Sequence, residues 1–127
     1  CSWDFLDMKT ILVVDDEALI RILVKKELDK LGFNVITAID GETGWDQLNQ
    51  DRPDLVITDL NMPSMGGLDL LERIRNSEEF SLLPVLCITG ANESELKQRA
   101  VTLGATGWIQ KPFNPSSWGT TLSKILH

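Results

Sequence analysis

Residues 10–17 read TILVVDDE. An apolar, β-branched run from Thr10 to Val14 passes straight into three acidic residues, Asp15, Asp16 and Glu17. A near-continuous apolar run of this length suits a strand buried on both faces, as in parallel sheets. The acidic residues then mark the point where the strand leaves the core. A helix-length segment follows from Glu17 to Leu31 and meets Gly32, a residue suited to end a helix.

The same alternation recurs down the chain. Val35–Ala38 reads as strand and 42–50 as helix; Leu55–Thr58 as strand and 66–76 as helix. Residues 84–88 read as strand, 93–103 as helix stopped by Gly104, 108–110 as a short strand and 115–126 as a closing helix. Five β-α units in order place the chain in the α/β class. Right-handed crossovers make a doubly wound five-stranded parallel sheet the simplest topology.

Composition narrows the function. The chain has 127 residues, 43% hydrophobic and 24% charged, enough for one soluble domain with a real core. Twelve basic against 19 acidic residues give a net charge of −7, which disfavours direct contact with nucleic-acid phosphates. No apolar run is long enough to span a membrane and no secretion leader is visible. The single histidine is His127, the last residue, which removes Ser-His-Asp and Cys-His catalysis and histidine-rich zinc sites. Cys1 and Cys87 make no disulfide framework, and Cys87 in its apolar run reads as a small buried hydrophobe of a reducing compartment.

Ligands of open α/β sheets bind at the carboxyl ends of the strands. Asp15 and Asp16 follow the first strand, Asp59 the third, Thr89 and Gly90 the fourth, Lys111 and Pro112 the fifth. Three clustered carboxylates repel one another. A hard dication such as Mg²⁺, which takes oxygen ligands, relieves this and together with Lys111 brings the formal sum to zero. Asp59 is then a candidate phosphoryl acceptor, Thr89 and Lys111 hold phosphoryl oxygens, and Gly90 leaves room for them. Each residue also has a plainer reading: Asp16 as a helix N-cap, Asp59 as a cap on the turn Asn61-Met62-Pro63, Thr89 as a strand-end hydroxyl, Lys111 as a surface charge. Their joint placement favours the site.

Four stretches resemble the receiver domains of bacterial two-component response regulators: ILVVDDE (11–17), DLVITDLNMPSMGGLDLL (54–71), PVLCITG (84–90) and GATGWIQKPF (104–113). The resemblance spans residues 9–127. It implies strand order 2-1-3-4-5 with five helices on both faces. It implies that Asp59 is the phosphoacceptor, that Asp15, Asp16, Asp59 and the backbone carbonyl of Asn61 hold Mg²⁺, and that Thr89 is the switch hydroxyl. Lys111 would bind the phosphoryl group, with a cis bond to Pro112. The implied partners are a histidine kinase or histidine phosphotransfer domain and a downstream protein or missing output domain, in the cytoplasm, with no direct nucleic acid and no membrane. A pseudo-receiver that only binds proteins, or an Asp-nucleophile phosphohydrolase, are the alternatives. The first would have lost an acidic residue or the lysine. The second carries its nucleophile after the first strand.

Where receiver domains usually have Tyr or Phe as switch aromatic, this chain has Trp108. The larger indole either rotates inward or stays outside as a binding anchor. Trp3, Trp45 and Trp118 read as packing or terminal residues. On the first helix, Ile20, Leu23, Val24, Leu28 and Leu31 form the expected core stripe, interrupted by Glu27. Leu19 and Ile22 point elsewhere, as scattered surface apolars or as a docking patch. Gly119 is expected inside the last helix, weakening it by about 1 kcal/mol and leaving the face around it adaptable. Residues 1–8 read as a leader, a linker or a cloning remnant ahead of the receiver, which is a stand-alone regulator or a piece of a longer one.

Overall fold

The computed structural model describes residues 9–62, 66–90 and 92–126. The expectations for residues 1–8, including Trp3, and for Pro63 lie outside the described residues. Five strands, β1 (Thr10–Val14), β2 (Asn34–Ala38), β3 (Leu55–Asp59), β4 (Val85–Thr89) and β5 (Gly107–Gln110), alternate with helices α1 (Ala18–Lys30), α2 (Gly41–Asp51), α3 (Gly67–Arg75), α4 (Ser94–Thr102) and α5 (Gly119–Leu126). The strands form one sheet in the order β2-β1-β3-β4-β5, every pair parallel. This is the doubly wound arrangement the sequence implies.

The period of two along each strand divides the core. Leu12, Val14, Val56 and Cys87 face α2, α3 and α4, where they meet Leu48, Leu70, Leu71, Ile74 and Ala100. Ile11, Val13, Ile57 and Ile88 face α1 and α5, where they meet Val24, Leu28, Leu122 and Leu126. Each fully buried Leu or Ile contributes roughly 1.5–3 kcal/mol of transfer free energy. Cys87 is buried in this apolar layer, and its thiol is pushed up to about 12 by desolvation, so it stays a neutral hydrophobe. Gly32 and Gly104 have φ of 95° and 97°, the left-handed geometry that ends α1 and α4 where glycine was expected to.

Two expectations are corrected. In α1, Val24 and Leu28 are buried and Ile20 is half-buried, but Leu23 and Leu31 are 43% and 41% exposed. The row 20–24–28 faces the sheet, so the row 23–27–31 falls on its flank, which also explains why Glu27 is tolerated there. The closing helix is not continuous over 115–126. Pro115–Ser117 forms a 3-10 turn whose entry is capped by Asn114, the side chain accepting from Ser116 N. The α-helix begins only at Gly119. Gly119 therefore opens α5 rather than interrupting it, and the weakening and adaptability argued from an interior glycine have no basis. A Cβ there would lie 3.5 Å from Leu31 Cδ2, an ordinary van der Waals contact, so the start of α5 packs beside the end of α1 without requiring glycine.

Trp45 and Trp118 pack as expected. Trp45 meets Phe80 edge-on at 6.2 Å, and Trp118 is buried against Phe113 at 5.2 Å. Among the described residues no helix is long and apolar enough to cross a membrane.

Candidate functional site

The strand order reverses between β1 and β3, so connections leave in opposite directions and open a crevice at their carboxyl ends. Asp15 and Asp59 face that crevice from β1 and β3. The backbone of Asp15 is tied to β2 through its N–H to the Ala38 carbonyl, 3.1 Å. Its Oδ1 accepts from Glu17 N at 2.9 Å, and its Oδ2 is buried with no hydrogen-bond partner among the described residues. Burial, opposed by the Glu17 N–H and reinforced by the Asp59 charge, raises the Asp15 carboxyl to about 6.

Asp59 is the last residue of β3 and is buried. Its Oδ1 accepts from Asn61 N at 3.0 Å and its Oδ2 from Lys111 Nζ at 3.2 Å. Desolvation raises its carboxyl, opposed by the Asn61 N–H and by Lys111. The backbone around it is tightly filled: a Cβ on Gly67 would stand 2.2 Å from the Asp59 carbonyl oxygen, so only glycine lets α3 start here. Thr89, the last residue of β4, is buried at the same edge, and Lys111 N donates to its carbonyl at 2.8 Å. The bond between Lys111 and Pro112 is cis. Burial works against the Lys111 charge, but Asp59, Asp15 and Glu17 outweigh it and its ammonium is held above the usual lysine range.

The carboxylate oxygens of Asp15, Glu17 and Asp59 lie within 4.8 Å of one another. With Lys111 the four groups sum to a formal −2, the charge a dication cancels. The orphaned Oδ2 of Asp15 has a lone pair and no donor among the described residues, which fits an oxygen-seeking cation such as Mg²⁺. Asp16 is exposed and lies outside this group, and it does not cap α1, whose N-cap is Glu17. The plain reading of Asp59 as a turn cap is also met, since it holds Asn61 N while facing Lys111.

Glu17 and Gly67 are parts of the site that sequence reasoning passed over. The signal for Glu17 was present in the unbroken acidic triplet. The Gly66-Gly67 pair before a helix was the signal for Gly67. Trp108 is 47% exposed, with Lys97 Nζ 4.0 Å from the ring centre, so the indole lies outside, away from Thr89's buried position. Leu19 and Ile22 are exposed on α1.

The response regulator receiver domain model matches residues 11–122. The chain belongs to this family. A chemotaxis protein, CheY-3 of Vibrio cholerae, is 44% identical over 117 residues, 91% of this chain and 90% of the relative. The alkaline phosphatase synthesis transcriptional regulatory protein PhoP of Bacillus subtilis is 34% identical over 93% of this chain but only 48% of its own length. The solved structure of chemotaxis response regulator CheY4 of Vibrio cholerae superposes with a TM-score of 0.86 at 37% identity, covering 94% of this chain and 99% of the relative. The receiver is thus a signalling domain rather than a substrate-turning enzyme.

Proposed function

We propose that this receiver domain accepts a phosphoryl group on Asp59 from the phosphohistidine of a histidine kinase or histidine phosphotransfer domain in the bacterial cytoplasm. The modified domain then presents a changed surface to a downstream protein, or to an output domain outside this chain. The observation that supports this most is the setting of Asp59: a buried strand-end carboxylate 3.2 Å from Lys111, beside the partnerless oxygen of Asp15. The net charge of −7 suits protein partners better than nucleic acid.

Asp15, Asp16, Asp59 and the backbone carbonyl of Asn61 are the proposed Mg²⁺ ligands; Glu17, grouped with Asp15 and Asp59 where Asp16 is not, is a further candidate. Bound Mg²⁺ supplies a Lewis acid that neutralises charge on a transferring phosphoryl group. Asp59 attacks as the carboxylate, a form that the Asn61 N–H and Lys111 favour against the desolvation that raises its carboxyl. An Asp59 oxygen forms the new O–P bond as the P–N bond to the partner's imidazole breaks. The imidazole nitrogen keeps the electron pair and takes a proton from solvent. Lys111 pairs with a phosphoryl oxygen, and the Thr89 hydroxyl turns to donate to another. Water later cleaves the acyl phosphate, returning the Asp59 carboxylate and inorganic phosphate. Trp108, outside under Lys97, is a surface anchor of the unmodified state.

Acetyl phosphate with Mg²⁺ is expected to give a labile one-to-one phosphoprotein that is absent with a chelator. Repeated turnover of many small phosphoesters would instead support the phosphohydrolase reading, and no labelling at all the pseudo-receiver.

A further inference from the structure

Glu93 stands at the N-cap of α4, yet its side chain makes no cap bond to that helix. Asp40, in the same position on α2, behaves as N-caps usually do, accepting from Thr43 N at 2.8 Å. The Glu93 side chain turns back instead and its Oε1 accepts from the Gly90 N–H. It lies over Gly90 so closely that a Cβ there would meet Oε1 at 3.1 Å and Cδ at 3.3 Å. The space at Gly90, expected to be left for an incoming group, is taken by this carboxylate. Gly90 directly follows Thr89 at the crevice edge, and the Glu93 charge is near enough to Asp59 to help raise its carboxyl. Lys97, which covers Trp108, sits one turn further on, its N–H bonded to the Glu93 carbonyl at 3.0 Å.

We propose that Glu93 is an internal anion that holds the Gly90 amide while Asp59 is unmodified and is displaced when a phosphoryl group arrives. The proposal rests on Asp59 being the phosphoryl acceptor. An N–H that holds a carboxylate oxygen suits a phosphoryl oxygen equally well, because both are anionic acceptors of charge-assisted bonds. A second negative group on Asp59 repels Glu93 and competes for its donor. Release of the side chain frees the N-cap of α4, and the change passes along one turn to Lys97 and the indole of Trp108. Glu93 is a positioning residue: it sets how readily the site takes an anion and links that event to α4.

Beryllofluoride with Mg²⁺ is the probe, and half-saturation is the readout in the wild type, Glu93→Gln and Glu93→Ala. Removing one nearby negative charge is expected to lower half-saturation by about threefold to tenfold in both variants. A merely structural Glu93 would lower the melting temperature of the alanine variant and leave half-saturation unchanged in both, which overturns the proposal. A wild type that takes no beryllofluoride overturns the Asp59 reading and this proposal with it, whereas binding that is equal in all three proteins overturns this proposal alone. The wild type also answers without a variant. The Glu93 side-chain carboxyl carbon resonance is expected to move on adduct formation, and a resonance that stays in place contradicts displacement.

Discussion

Asp15 shows what a single residue can cost a fold. It is fully buried, one of its oxygens has no partner among the described residues, and its carboxyl sits at about 6 against an ordinary 3.8. A raised acid favours the folded protein while protonated and opposes it once ionised. Stability from this group is therefore greatest at low pH and falls as pH rises from about 4 through about 6. The difference of about two pKa units corresponds to about 3 kcal/mol. In metal-free buffer, Asp15→Asn should thus gain on the wild type by about that amount between pH 4 and pH 7. Urea unfolding of both proteins across this range measures it, and a gap that does not change with pH would refute the assignment. Added Mg²⁺ should close the gap by stabilising the wild type alone.

At the scale of elements, the sheet and its helices were legible because the apolar runs are short, unbroken and punctuated by Gly32 and Gly104. The missed features belong to forces that act across elements or within a few loop atoms. Which side of the α1 stripe meets the sheet, and so leaves Leu23 and Leu31 exposed, is set by the packing angle of the helix. The break before α5 is set by the Asn114 side chain and the Pro115 turn, neither of which alters the apolar period. Among the site residues, Asp15, Asp59, Thr89 and Lys111 could be read from their places at strand ends. Glu93 could not, because loop backbone decides where its side chain turns, and for Glu17 the acidic triplet was a signal whose geometry the loop backbone decides. Arg75 was also invisible. From the end of α3 its Nε donates to the Gly104 carbonyl at 2.9 Å, and one guanidinium NH group donates to the Ser81 and Leu83 carbonyls at 3.2 and 2.7 Å. It ties α3, the approach to β4 and the turn before β5 together. Arg75→Ala should lower unfolding free energy by about 2 kcal/mol, and Arg75→Lys should recover only part, since an ammonium lacks the forked geometry. Full stability of the alanine variant in urea would refute this role.

For the whole molecule, the proposed function makes this a domain that receives a charge at one sheet edge and passes the consequence to another protein or to an output domain outside this chain. Leu19 and Ile22, 81% and 63% exposed on α1, are the proposed docking patch for the phosphohistidine partner. Leu19→Ala and Ile22→Ala should slow phosphotransfer from that partner several-fold and leave phosphorylation by acetyl phosphate unchanged. Equal slowing with both donors would show that the patch serves the site's structure rather than docking. The exposed Trp108 and α4 stand on the output side of this scheme, linked to the site through Glu93.

The proposed function turns on Asp59 being the residue that takes the phosphoryl group. Borohydride reduction of the acetyl-phosphate-treated protein converts an aspartyl phosphate to homoserine, and peptide mapping then locates it. Homoserine is expected at position 59 in the wild type and at no position in Asp59→Asn. Homoserine at any other aspartate in the wild type, or undiminished labelling of Asp59→Asn, would contradict it.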